Sequence, residues 1–181
     1  MKIKHIWEKY CRLIIVAATV ACMLLIVMNY DKFDAEASRR VAARYLEAGY
    51  WEGFEHKYIE IGNAGMIKDN YNDKRIITTG KEGYLVYGQY LTLPPGDYEV
   101  EYYYEVFENT SKNAYIRFDA VSDKGRAKLA ESVIELDDAE PGEYKEALRF
   151  SLANTAANVE WRAYVSENTG IILNKMVLLK K

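Results

Sequence analysis

Beyond Tyr30 the side chains able to do covalent chemistry are few in kind. The one histidine there is His56, set between Glu55 and Lys57, and both cysteines, Cys11 and Cys22, lie at the edge of or within the apolar N-terminal run. A thiol nucleophile is thereby excluded from the rest of the chain, a Ser-His pair would hang on one loop histidine, and a zinc site would lack ligands. No glycine-rich phosphate loop follows a strand and precedes a helix. Carboxylates are plentiful, but Glu99, Glu101 and Glu105 take the water-facing register of one strand pattern, where acids keep a surface soluble and do not face each other as a glycosidase pair must. The expectation is a domain without catalysis, cofactor or metal.

What the chain offers instead is aromatic rings beside polar groups. Tyr103, Tyr115, Arg117, Asp119, Arg162 and Tyr164 occupy the outward register of their strand patterns. Rings take the apolar face of a sugar, and guanidinium and carboxylate groups take its hydroxyls. The six form one surface only if their strands lie side by side in one sheet. Trp51 and Tyr71 form a second aromatic group in loops. Strand tyrosines also serve as cross-strand packing pairs, and Trp161 belongs by register to the core.

These residues must be held by strands. After Gly49 the hydrophobic period is two, with roughly eight strand candidates between turn residues and no helix among them, which is the pattern of an all-β fold. From Asp97 to Phe107, Tyr98, Val100, Tyr102, Tyr104 and Val106 share one face, while Glu99, Glu101, Tyr103 and Glu105 share the other. Further inward rows are Ile116, Phe118 and Ala120; Leu148, Phe150 and Leu152; and Val159, Trp161, Ala163 and Val165. The segment from Ile171 to Leu179 makes an apolar last strand. Ser122-Asp123-Lys124-Gly125 and Pro141-Gly142 supply turns, and Leu93-Pro94-Pro95-Gly96 predicts a hairpin-like corner. Many short antiparallel strands point to two packed sheets, and no internal repeat suggests a propeller or solenoid.

The run from Gly83 to Val100, GYLVYGQYLTLPPGDYEV, resembles a pattern of galactose-binding-like jelly rolls, the carbohydrate-binding-module type found in bacterial membrane-anchored surface and polysaccharide-related proteins. YIRFDAVSDKGRAKLAE, from Tyr115, resembles their next strand, turn and strand, and ILNKMVLL, from Ile172, their closing strand. The resemblance spans about residues 50 to 179 and implies a jelly-roll β-sandwich with a noncatalytic carbohydrate-binding role. Gln89 stands in place of the usual proline, and Asn174 where related modules often carry an acid, which weakens the case for a structural calcium ion.

The N-terminus supplies a candidate anchor. Leu13 to Tyr30 carries no charge, and a helix of this length roughly matches a bilayer core at about 1.5 Å per residue. Small residues at Ala17, Ala18 and Ala21 allow a cleaved signal peptide, and Thr19-Val20-Ala21-Cys22 loosely resembles a lipobox. The apolar stretch from Met23 to Met28 continues past either site and favours an uncleaved signal anchor. Lys2, Lys4, Lys9 and Arg12 crowd the short side and place the N-terminus in the cytoplasm and the domain outside, with Arg39, Arg40 and Arg44 pulling the other way. Helix formers from Asp34 to Ala48, ended by Gly49, predict a short stalk helix.

The expected organisation is therefore a cytoplasmic tail (1–12), a transmembrane signal anchor (13–30), a helical stalk (31–48) and the sandwich (49–181). Of 24 basic and 27 acidic residues, four bases and Glu8 precede the run, leaving 20 against 26, a net charge of −6 that argues against nucleic acid as a partner. The expected partner is carbohydrate, as envelope glycan or exported polysaccharide. The alternative is a structural subunit binding a membrane protein partner.

Overall fold

The alternating segments become strands in a computed structural model of the chain, which describes residues 50–52, 59–70, 73–88, 90–107 and 112–181. The expected anchor and stalk, together with His56 and Tyr71, lie outside the described residues. Among the described residues no helix is long and apolar enough to cross a membrane.

Twelve strands run through the described residues: β1 (Tyr50–Glu52), β2 (Ile59–Ile61), β3 (Gly65–Asn70), β4 (Asp73–Thr78), β5 (Gly83–Gly88), β6 (Leu91–Leu93), β7 (Gly96–Val106), β8 (Tyr115–Ser122), β9 (Ala127–Glu135), β10 (Gly142–Leu152), β11 (Ala156–Val165) and β12 (Ile171–Lys180). They exceed the number expected in part because β1, β2 and β6, at three residues each, are too short to display a period. The first sheet runs β10-β7-β12-β4-β3, with β1 also on β12; the second runs β2-β5-β11-β8-β9, with β6 also on β11. Every described pairing is antiparallel.

The inward rows read from the sequence close the core between the two sheets. Tyr98, Val100, Tyr102, Tyr104, Ile116, Phe118, Leu148, Phe150, Trp161 and Val165 are all buried. Tyr102 of the first sheet stacks on Phe118 of the second, ring centroids 4.2 Å apart, and donates a hydrogen bond to the Asp119 carbonyl at 3.2 Å. Large aromatic rings exclude much apolar surface from water and account for a good part of the driving force.

The corner at Leu93-Pro94-Pro95-Gly96 is not a hairpin, contrary to the sequence expectation. It carries the chain from β6 in the second sheet to β7 in the first. Proline ends a strand because it has no N–H for the ladder, but it does not decide which sheet the next strand joins. The Tyr98 hydroxyl donates to the Pro94 carbonyl at 2.8 Å and braces the crossing. The links from β7 to β8, β9 to β10, β10 to β11 and β11 to β12 likewise change sheets, whereas β8 and β9 form a true hairpin. Its turn places Asp123, Lys124 and Gly125 at φ of 51°, 58° and 80°, left-handed values that glycine, aspartate and a few other residues tolerate.

Candidate functional site

The outer face of the second sheet gathers the polar aromatics. β11 pairs with β8 so that Arg162 opposes Asp119 and Tyr164 opposes Arg117. On the other side of β11, Tyr164 opposes Tyr84 of β5. Beyond β8, Arg117 opposes Val133 and Asp119 opposes Glu131 of β9. Side chains two apart on a strand share a face, so the outward register places these groups on one surface.

Asp119 is its hub. The carboxylate is 3 % exposed and accepts two hydrogen bonds from Arg162, from Nε at 2.6 Å and from Nη2 at 2.8 Å. This fork-on-fork geometry fixes the guanidinium plane, and the bond to Asp119 is the leading reason that the Arg162 pKa is raised. Arg162 then lies over the Tyr84 ring, 5.0 Å from its centroid. Arg117 lies over the Tyr164 ring at 4.4 Å, its Nε 3.9 Å from Asp119 Oδ2. That Nε is buried without a hydrogen-bond acceptor.

The rings form a continuous row. Tyr84 meets Tyr164 edge to face at 5.3 Å, and Tyr115 stacks parallel to Tyr164 at 6.4 Å. Tyr164 donates to Glu82 at 2.6 Å, and this bond to a carboxylate is the main cause that pushes its hydroxyl up to about 12. All three tyrosines are half-buried. Two arginine planes and three rings, locked by one buried aspartate, make a stiff, shallow surface for stacking and hydrogen bonding, without a nucleophile activated by a base.

The row continues across β5. Tyr87 meets Tyr84 at 5.9 Å and is opposite Glu60 of β2. Its pKa is raised first by a hydrogen bond to Glu60. Tyr90 also donates to Glu60, at 3.2 Å, and burial chiefly raises its pKa. Glu160, on β11 two residues before Arg162, sits 6 % exposed at this end. Burial pushes its carboxyl above the usual range, with the Arg162 charge opposing.

Backbone approach matters at two positions. A Cβ on Gly62 would stand 2.0 Å from the Tyr84 carbonyl oxygen, so only glycine lets this loop pass close enough for its N–H to donate to Leu85 O at 3.2 Å. Gly125, in the hairpin turn, leaves room for Arg162, whose Nη1 would be 3.3 Å from an added Cβ.

Of the eight residues expected from sequence, five share this face: Tyr115, Arg117, Asp119, Arg162 and Tyr164. Tyr103 does not. It lies on β7 in the first sheet, where it donates to Glu101 at 2.5 Å beneath Lys145 and Lys175, whose Nζ atoms are 5.4 and 4.6 Å from its ring centroid. Outward register gives the face of a strand but not the sheet to which the strand belongs. Trp51 is on β1, which pairs with β12 of the first sheet, and not in a loop; its side chain, like all of Tyr71, lies outside the described residues. Sequence reasoning missed Tyr84, Tyr87, Tyr90, Glu60 and Glu160. The three tyrosines recur every third residue; the register shift between Ala163 and Tyr164 brings Tyr84 and Tyr87 of β5 to one face, and Tyr90 lies beyond the end of that strand. Among the described residues no group of three His, Cys, Asp or Glu is placed to hold a metal.

No family model matches the sequence, and no curated protein matches it. Among solved structures, a xylan-binding module of family CBM15 is similar with a TM-score of 0.52 at 9 % identity, over 72 % of this chain and 95 % of that one. The CBM6 module from Cellvibrio mixtus lichenase 5A, solved with cellotriose, gives 0.47 at 13 % identity over 73 % and 96 %. The CBM22-1 xylan-binding domain from Paenibacillus barcinonensis Xyn10C gives 0.42 at 11 % over 73 % and 85 %. At such identities the likeness concerns the fold and not the ligand: the described domain is a jelly-roll sandwich of the kind seen in carbohydrate-binding modules.

Proposed function

We propose that the outer face of the second sheet binds carbohydrate without catalysis, and that the apolar segment of residues 13–30 holds the domain outside the cell. The observation that carries this reading is the row Tyr115, Tyr164 and Tyr84, half-buried on adjacent strands and interleaved with Arg162, forked onto Asp119, and Arg117 beside it. Sugars are bound by stacking of their C–H faces on such rings and by hydrogen bonds to planar charged groups. Rings already locked by packing lose little entropy on binding. The solved modules that share the fold are described as binding xylan or cellotriose, which supports the same class of ligand here.

A protein partner would need a contiguous apolar patch. The large apolar side chains most exposed among the described residues are Met66 and Ile67 on β3 and Val133 on β9. They are too few and too scattered to favour that reading.

The test is a glycan array followed by calorimetry, using the full chain in a detergent without a sugar headgroup. Saturable binding that is lost in a folded Tyr84→Ala, Tyr164→Ala double variant supports the proposal, and silence across envelope glycans and exported polysaccharides refutes it. Protease access to the domain in intact cells against lysed cells tests its placement.

A further inference from the structure

Two apolar side chains of the first sheet are buried on its outer side. In β12, Ile171, Leu173, Met176 and Leu178 join the core. Ile172, Val177 and Leu179 therefore take the outward register, opposite Glu105, Glu101 and Glu99 of β7. Ile172 is 5 % exposed and Val177 7 %, yet neither belongs to the core cluster. Leu179 is half-buried, as is Ile77 of β4, which stands opposite Ile172. Every described strand lies in one of the two sheets, so none of them crosses this side. The ion pairs of the same face gather on β7 and β10 and leave Leu179, Val177, Ile172 and Ile77 as an apolar stripe along β12. A stripe of this kind is a seat for a second apolar surface.

The chain itself supplies an occupant that ends at the stripe. β1 enters the sheet there, with Tyr50 opposite Leu179 and Glu52 opposite Val177. The residues just before β1 are rich in helix formers, and helical spacing puts Val41, Tyr45 and Ala48 on one face, away from Arg39, Arg40 and Glu47. A helix over the eleven residues from Ser38 to Ala48 is about 16 Å long. The five positions from Ile172 to Val177 cover about 16 Å of strand. The compact unit that holds the sandwich spans Ser38–Lys181. We infer that residues 38–48 dock as an amphipathic helix along β12, with Val41, Tyr45 and Ala48 over Val177 and Ile172. Gly49 makes the reversal between this helix and β1. The helix is then a layer of the domain and not a free spacer, and the domain begins at Ser38. This holds whatever the second sheet binds.

The experiment is maleimide labelling of the full chain in detergent, with Cys11→Ser and Cys22→Ser as background. Val177→Cys reports the stripe, and Met66→Cys, at a position 56 % exposed on β3, is the open control. With the helix docked, Val177→Cys should react about tenfold or more slowly than Met66→Cys. Adding Val41→Asp and Tyr45→Asp should raise the Val177→Cys rate about tenfold and leave the Met66→Cys rate unchanged. The sandwich should keep its cooperative melt by tryptophan fluorescence. Fast labelling of Val177→Cys in the parent overturns the inference. So does shielding that survives the two aspartates in a folded chain, because detergent or neighbouring side chains then cover the stripe. Shielding that disappears on dilution assigns the cover to a second copy and overturns it equally. Hydrogen exchange on the parent needs no substitution. An isolated helix of this length is marginal, so slow amides from Ala42 to Ala48 are expected, and exchange at the rate of an unstructured peptide overturns the docking.

Discussion

The Tyr102 hydroxyl reaches across the core to the backbone carbonyl of Asp119, 3.2 Å away, while the carboxylate of that residue grips Arg162 on the outer face. One residue thus joins the packed interior to the candidate surface. Asp119→Asn would leave Arg162 without its charge partner in a mostly buried setting. The expected loss is about 2–3 kcal/mol, below the full cost of breaking a buried pair because Arg162 retains 19 % exposure. Tyr102→Phe keeps the stack on Phe118 and loses one hydrogen bond, about 1 kcal/mol. Urea unfolding followed by tryptophan fluorescence measures both, and a neutral Asp119→Asn would show the hub to be ornamental.

Sugar affinity should separate the two faces. Tyr84→Ala and Tyr164→Ala are each expected to weaken binding about tenfold or more, since an aromatic stacking plane contributes of the order of 1–3 kcal/mol by truncation. Tyr103→Ala, on the opposite sheet, should bind as the parent does. Calorimetry on the three variants decides it, and an effect of Tyr103→Ala equal to the others would move the site to the first sheet.

Two buried acids should respond oppositely to pH. Hydrogen bonds from Lys181 and then Arg149 hold Glu99 below the ordinary carboxyl value of 4.5, against a smaller effect of burial. A depressed native pKa contributes stability that is present above the unfolded value and lost as pH falls through the native one. Burial raises Glu160 above 4.5. Its contribution is complete below the unfolded value and lost as pH rises through the native one. Glu99→Gln should therefore lower Tm at neutral pH, with the loss fading as the parent is acidified below 4.5. Glu160→Gln should raise Tm at neutral pH, with the gain fading toward 4.5. Melting curves between roughly pH 3 and 8 check both signs.

Gly62→Ala tests the close approach behind the binding row. An added methyl would meet the Tyr84 carbonyl at 2.0 Å, forcing the strand or the loop aside at a cost of about 1–3 kcal/mol. Because Tyr84 carries the ring beneath Arg162, sugar affinity should fall along with stability. A change in Tm with unaltered affinity would show that the loop yields and the strand does not.

The fold was legible wherever the period of two ran long enough. On β7, β8, β10 and β11 the alternation identified the inward rows, down to Tyr102 inward and Tyr103 outward, although the outward Glu99 and Asp119 are buried as well. It failed where pairing is non-local. Nothing near Tyr103 reveals that its strand lies between β10 and β12, both far later in the chain, while Tyr115 belongs to the facing sheet. It failed again at irregularities. The shift beside Ala163 hid Tyr84 and Tyr87 behind a spacing that belongs to no strand, and the shift between Leu173 and Lys175 puts Asn174 at a break in the β12–β7 ladder. Glu160 looked like any surface acid, because burial on an outward register depends on neighbours from three other strands.

The outer face of the first sheet answers its own charges: Glu99 takes Arg149 and Lys181, Glu101 takes Lys145, and Tyr103 lies under two lysines. Around β7 and β10 these paired charges leave little to offer a neighbour and a high cost of desolvation if anything tries to cover them. Under the proposed function the domain is a one-sided adhesive. On that reading glycan would engage only from the side of the second sheet, and the paired charges around β7 and β10 would give neighbouring copies little to grip there.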